Sequence, residues 1–334
     1  MSQAPGNDAP DFVRQTNLAQ PRLGAEVISA TDDFFAPKHR LIDPAPPIFI
    51  PDKFDDHGKW MDGWESRRKR VSGHDHCVLK LCPGVIHGFK VDTAFFTGNF
   101  PPHASIEACY SASDDETGMD WHELVPKMPL NGDSQHFVAV NDDRTWTHLR
   151  LHIYPDGGIA RLRVYGEVHF DWSVLPKTGW LDLAAMQRGG RALACNDMHY
   201  GHMSNLIAPG HGLNMGDGWE TRRRREPGND WVILKLGHSG RIRQVEVDTA
   251  FFKGNYPARC SLHAALLEDL PDKDLSADGD YWKPLLEPVE LGPDQMHAFE
   301  TEVIDTGPVS HVRLDIYPDG GVSRLRLMGE WYES

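Results

Sequence analysis

The chain has 334 residues, 40% of them hydrophobic, and a formal net charge of −15 at pH 7. That length suits two domains, each long enough to bury its own core, and the acid excess argues against broad binding of nucleic acid or an anionic membrane, which needs a basic footprint. No apolar stretch approaches the ~20 residues of a transmembrane helix, and the polar start, Met1–Gln20, lacks the apolar core of a secretory signal. A cytoplasmic protein with an N-terminal tail over residues 1–20 is expected.

A first domain is expected over residues 21–172. It opens on Leu23-Gly24-Ala25-Glu26-Val27 and reaches Asp62-Gly63-Trp64-Glu65-Ser66-Arg67-Arg68-Lys69-Arg70. A short apolar strand, Val78–Leu81, follows. Next comes Val91-Asp92-Thr93-Ala94-Phe95-Phe96-Thr97-Gly98-Asn99-Phe100-Pro101, a strand running into a tight loop. Leu149–Tyr154 alternates apolar and polar residues, the period of a half-buried strand. Pro155-Asp156-Gly157-Gly158 supplies turn chemistry, and Arg161–Glu167 alternates again, so these segments read as a hairpin. Residues 173–183, with Pro176 and Gly179, read as a linker.

The second domain, expected over 184–334, repeats these strings in the same order. Asp217–Arg225 answers Asp62–Arg70, Val232–Leu236 answers Val78–Leu81, and Val247–Pro257 answers Val91–Pro101. Residues 313–330 repeat the hairpin pattern, and Leu262–Leu270 could hold a short helix. A period this long means two duplicated domains rather than a solenoid, whose repeats run about 20–50 residues. What both copies keep is what the fold or shared chemistry needs; what one copy keeps marks a specialised role. Short strands broken by Gly/Pro turns favour an antiparallel β-sandwich in each half.

The five cysteines are odd in number and lack C-x-x-C spacing, which fits neither a disulfide framework nor a zinc site. Cys77, Cys195 and Cys260 align with Val232, Ala30 and Ala104, so they read as packing groups. His74 and His76 alternate on one strand face and could bind a metal, but two histidines and one aspartate are a weak ligand set. Arg161 and Arg163, with Arg324 and Arg326, line one strand face, where they could pair with Glu167 and Glu330 or reach a ligand. The Arg-rich strings could hold an anionic substrate bidentately.

Three strings carry a resemblance to the allantoicase family of ureide degradation. They are Asp-Gly-Trp-Glu-(Ser/Thr)-Arg-Arg, Val-Asp-Thr-Ala-Phe-Phe-x-Gly-Asn-(Phe/Tyr)-Pro and Tyr-Pro-Asp-Gly-Gly-(Ile/Val)-x-Arg-Leu-Arg. The resemblance covers the chain from about Leu18 onward, duplication included. It implies an all-β fold of two tandem jelly-roll, galactose-binding-like β-sandwiches, a homo-oligomer, and hydrolysis of allantoate to ureidoglycolate and urea. That reaction breaks a C–N bond at the substrate's central carbon. It needs a cationic clamp for the carboxylate, an acid for the leaving ureido group and a base for water. Arg67, Arg68, Arg222 and Arg223 are the candidates for the clamp. Glu65, Asp92, Glu220 and Asp248 are candidates for acid and base, and Asn99 and Asn255 for binding a ureido group. No cofactor is evident, and a divalent metal is left open. The rival reading is a non-enzymatic tandem module that binds carbohydrate-type ligands on its end loops.

Overall fold

The computed structural model describes residues 9–176, 178–267 and 270–332. It divides into two units: one is Ala9–His169, and the other takes in Phe170–Ser334. Among the described residues helical structure is limited to short 3-10 turns, and no helix is long and apolar enough to cross a membrane.

The first unit contains β1 (Thr16–Asn17), β2 (Glu26–Ala30), β3 (Phe54–Asp55), β4 (Gly58–Lys59), β5 (Trp64–Glu65) and β6 (Asp75–Asp92). It continues with β7 (His103–Cys109), β8 (His122–Pro129), β9 (Gln135–Ala139), β10 (Thr145–Tyr154), β11 (Gly158–Ile159) and β12 (Arg161–Val168). The long strand β6 is the spine. Its first half pairs antiparallel with β2 and β10, and β10 continues to β7 and β8. Its second half pairs with β9 and β12, and β12 continues to β1.

Alternation explains the core. Leu149, Leu151 and Ile153 of β10 are fully buried, while Arg150, His152 and Tyr154 lie on the opposite face of the strand. Val27, Leu79, Ile106 and Leu151 from one half of the sheet share a single apolar cluster with Phe89, Val91, Leu162 and Val164 from the other. The two halves therefore face each other as the layers of a jelly-roll sandwich. Each fully buried side chain of this size contributes about 1.5–3 kcal/mol.

The second unit repeats the plan. Its strands are β13 (Leu181–Asp182), β14 (Arg191–Cys195), β15 (Trp219–Glu220), β16 (Asp230–Asp248) and β17 (Arg259–Ala265). They are followed by β18 (Lys283–Glu290), β19 (Met296–Phe299), β20 (Val309–Tyr317), β21 (Gly321–Val322) and β22 (Arg324–Trp331). The spine β16 pairs with β14 and β20 along its first half, and with β19 and β22 along its second.

Several expectations are corrected. The segments around Pro155–Gly158 do not form a hairpin. β10 pairs with β6 and β7, whereas β12 pairs with β6 and β1. The turn moves the chain from one half of β6 to the other, and β11 between them pairs with β5. Gly157 is required in that crossing: its φ is 134°, and a Cβ there would lie 2.7 Å from the Pro101 nitrogen. The same holds in the second unit, where β20 and β22 both pair with β16. Residues 262–265 of the expected helix belong instead to strand β17, which runs between β18 and β20, and the expected helix's residues 268–269 lie outside the described ones. The first unit also begins earlier than the expected tail allows, since β1 pairs with β12; residues 1–8 of that tail lie outside the described ones.

Arg161 and Arg324 neither pair with the expected glutamates nor face an open surface. Arg161 is 1% exposed. Its guanidinium donates to the Ala45, Asp62 and Ala160 carbonyls and pairs with the Asp62 carboxylate at 2.8 Å. Arg324 does the same with the Gly210, Asp217 and Ser323 carbonyls and the Asp217 carboxylate at 2.6 Å. Arg163 and Arg326 likewise donate to carbonyls of the same loops. A β-strand is thus tied to the loop that leads into β5 or β15. Replacing Arg161 by Met removes the cationic partner of the Asp62 carboxylate and the side-chain donor to two loop carbonyls. The expected loss is about 3–5 kcal/mol, seen as a lower urea midpoint for unfolding.

Candidate active site

The Trp-Glu string divides its labour by strand alternation. Trp64 is fully buried, and its indole donates to the Asp32 carbonyl at 2.9 Å. Glu65 follows, hydrogen-bonded through its backbone to Ala36 on one side and paired with Gly158 of β11 on the other. The basic residues after it are structural or exposed. Arg67 closes on the Asp32 carboxylate through its backbone amide, Nε and Nη2. Lys69 donates its amide to Asp156 and its ammonium to Asp75. Arg68 is exposed.

Glu65 lines a pocket of ≈ 460 Å³ together with Phe35, Asn99, Phe95, Thr97 and Asp133. The remaining wall is Phe49, His57, Gly58, Lys59 and Met61, from the loop before β5. Asn99 donates to Glu65 Oε1 at 2.7 Å and so fixes the carboxyl. Burial pushes the Glu65 carboxyl above the ordinary carboxylate range, against the opposing pull of that hydrogen bond. Asp133 Oδ1 accepts from the Phe95 amide at 2.8 Å. Phe95 has φ 67°, a left-handed conformation that a bulky residue adopts at a cost, and Asp133 holds it there. The Phe95 ring stacks on Phe49 at 5.6 Å.

Of the residues expected in a site, the pocket thus brings together Glu65 and Asn99. It does not include Arg67 or Arg68. Asp92 is 2% exposed and turns inward, accepting from the Ala94 amide at 2.9 Å and from Gln135 at 3.2 Å. Asp248 likewise accepts from the Ala250 amide. These aspartates shape the loop after the spine rather than line the pocket. Asp133 is not singled out by the repeated strings discussed above. It does belong to a spacing both copies keep, Leu130-x-x-Asp133-x-x-His136 and Leu291-x-x-Asp294-x-x-His297, which is the signal that marks it.

The second unit holds the corresponding pair. Asn255 donates to Glu220 Oε1, and burial raises the Glu220 carboxyl as well. Glu220 is half-buried. Arg222 turns to Asp197 as Arg67 does to Asp32, and Arg223 is exposed. Asp294 accepts from the Phe251 amide at 2.7 Å, but Lys253, standing where the first copy has Thr97, also reaches it at 3.6 Å.

The histidines at the start of β6 do not fit a shared metal. His74 Nε2 meets His152 Nδ1 at 2.9 Å, and His152 Nε2 meets Glu107 at 2.8 Å, so these nitrogens are engaged with one another or with an acid. Among the described residues no group of three or more His, Cys, Asp or Glu side chains is arranged to hold a metal ion. All five cysteines are free, four of them buried, and burial lifts the Cys82 thiol to about 11 and the Cys260 thiol to about 12. Such thiols are packing groups, poor as nucleophiles.

Comparison with known proteins agrees with this duplicated architecture. The family described as Allantoicase repeat matches residues 16–169 and again 181–332. A protein named probable allantoicase 1 from Burkholderia mallei is 56% identical over 327 residues, covering 96% of both chains. A probable allantoicase from Pseudomonas aeruginosa is 52% identical over 320 residues, covering 95% of this chain and 96% of that one. The crystal structure of allantoicase from Saccharomyces cerevisiae superposes with a TM-score of 0.78 at 36% identity, over 94% of this chain and 92% of the other. Two copies of the repeat, nearly full-length identity and a shared fold lead to one conclusion: the chain belongs to the allantoicase family.

Proposed function

We propose that this chain hydrolyses allantoate to ureidoglycolate and urea in the pocket of its first repeat, with Glu65 as the general acid and Asp133 as the general base. The observation that carries this reading is the Glu65 carboxyl. It is 8% exposed, oriented by Asn99, and raised by burial so that it holds its proton closer to neutral pH. The similarity to allantoicases over nearly the whole chain favours this reading over a non-enzymatic binding module.

The chemistry balances with these groups. Glu65 donates its proton to the departing ureido nitrogen as the bond to the central carbon breaks, and urea leaves. The lone pair of the remaining ureido nitrogen stabilises the cationic carbon. Water adds to that carbon, and its proton passes to Asp133. Return of this proton to Glu65 through solvent resets the site. Acid and base roles require two carboxyl groups in different environments, and the pocket holds Glu65, raised by burial, together with Asp133. Asn99 orients the acid. Homo-oligomer assembly belongs to the same reading on the strength of the family resemblance.

Glu65→Gln keeps the Asn99 hydrogen bond but removes the proton, so kcat for urea release should fall about 10²- to 10⁴-fold with KM little changed. A loss of only half would mean that the second repeat carries equal activity. The pH dependence has a fixed sign. Because burial raises the Glu65 carboxyl and the acid form is the active one, kcat/KM should fall as pH rises through that raised value. The residual activity of Glu65→Gln should lack this alkaline limb.

A further inference from the structure

The first repeat contains a loop segment that the second does not. The buried arginines fix the alignment: Ala45 and Gly210 accept from Arg161 and Arg324, and Asp62 and Asp217 pair with them. Ile48 and Leu213 both donate their amides to those aspartates. Between these anchors the first repeat runs through Phe49–Met61, whereas the second has only Asn214-Met215-Gly216. The longer segment folds as the small β3–β4 ribbon. It supplies Phe49, His57, Gly58, Lys59 and Met61 to the pocket wall.

We propose that Lys59, at the end of this inserted ribbon, binds the carboxylate of the substrate, so that the insertion makes the first repeat the specific binding site. The proposal rests on the hydrolase reading above. An α-carboxylate entering this pocket needs a positive partner, and the arginines that sequence suggests are turned elsewhere. Arg67 is spent on Asp32 and lies over the Phe34 ring, outside the pocket wall. Lys59 is in the wall. Its ammonium sits 4.5 Å from the centre of the Phe49 ring, which is itself stacked on Phe95. An aromatic face holds an ammonium in place without neutralising it, leaving the charge for an anion. Among the described residues no carboxylate pairs with Lys59.

The second repeat differs in both respects. Its three-residue connection carries no charge, and Met215 places its sulfur 4.0 Å from the Asn255 amide nitrogen. Lys253 pairs with Asp294, the counterpart of the proposed base. The Glu220–Asn255 pair is therefore retained without the ammonium and beside an engaged aspartate.

The test compares wild-type, Lys59→Met and Lys59→Arg proteins in urea release from allantoate and from its neutral carboxamide. Lys59→Met should raise KM for allantoate about 10- to 100-fold, the size of a lost charge-assisted hydrogen bond, with a smaller change in kcat. It should leave KM for the carboxamide unchanged, and Lys59→Arg should recover most of the allantoate affinity. An active Lys59→Met protein with wild-type KM for allantoate, or an equal loss on both substrates, would overturn the proposal while leaving the hydrolase reading standing. No urea from folded wild-type protein would overturn both.

Discussion

The site depends on a buried arginine at the start of a strand. Arg161 is a charge that folding removes from water, a costly move unless every donor finds an acceptor. It finds them in the loop between the first 3-10 turns and β5: the carbonyls of Ala45 and Asp62 and the Asp62 carboxylate. Satisfying the guanidinium therefore fixes both ends of that loop. Between them the ribbon can project into solvent, and beyond them Trp64 enters the core and Glu65 reaches the pocket. Arg324 imposes the same arrangement in the second unit with a shorter loop.

The duplication works as an internal comparison. Both copies keep the Trp indole bonded to an aspartate carbonyl, the spine aspartate capping the following turn, and the Asn–Glu hydrogen bond. The first two act on backbone and core, so they are needed for folding wherever the sandwich is built. The third lines the pocket in the first copy, and it too survives in both copies. What separates the copies is the surroundings of that pair: an inserted ribbon with an ammonium in one, and a short uncharged turn and a Lys–Asp pair in the other. A retained candidate residue is thus a weaker sign of activity than the groups that would bind substrate beside it.

Much of the sandwich was legible in the sequence because alternation directly reports which face of a strand is buried. Leu149–Tyr154 is such a case. The hairpin expected after it was not legible, because turn residues show that the chain changes direction but not which strand it next pairs with. Glu65 and Asn99 were legible through their place in repeated strings. The partner of Arg67 was not legible for a physical reason: charge density suggests a binding surface, but Arg67 answers Asp32, an aspartate distant in sequence that the fold brings beside it. Asp133 sits in a sparse spacing within a loop, and Lys59 in a segment with no second copy to compare, so neither stood out before the chain was folded.

The central claim is that one pocket per chain, built around Glu65, receives the substrate. Calorimetric titration of allantoate into the Glu65→Gln protein tests it most directly, because substrate can bind there without being consumed. The account predicts one molecule bound per chain and almost no urea formed during the titration. Two molecules bound per chain with equal affinity, or urea released at the wild-type rate, would contradict it.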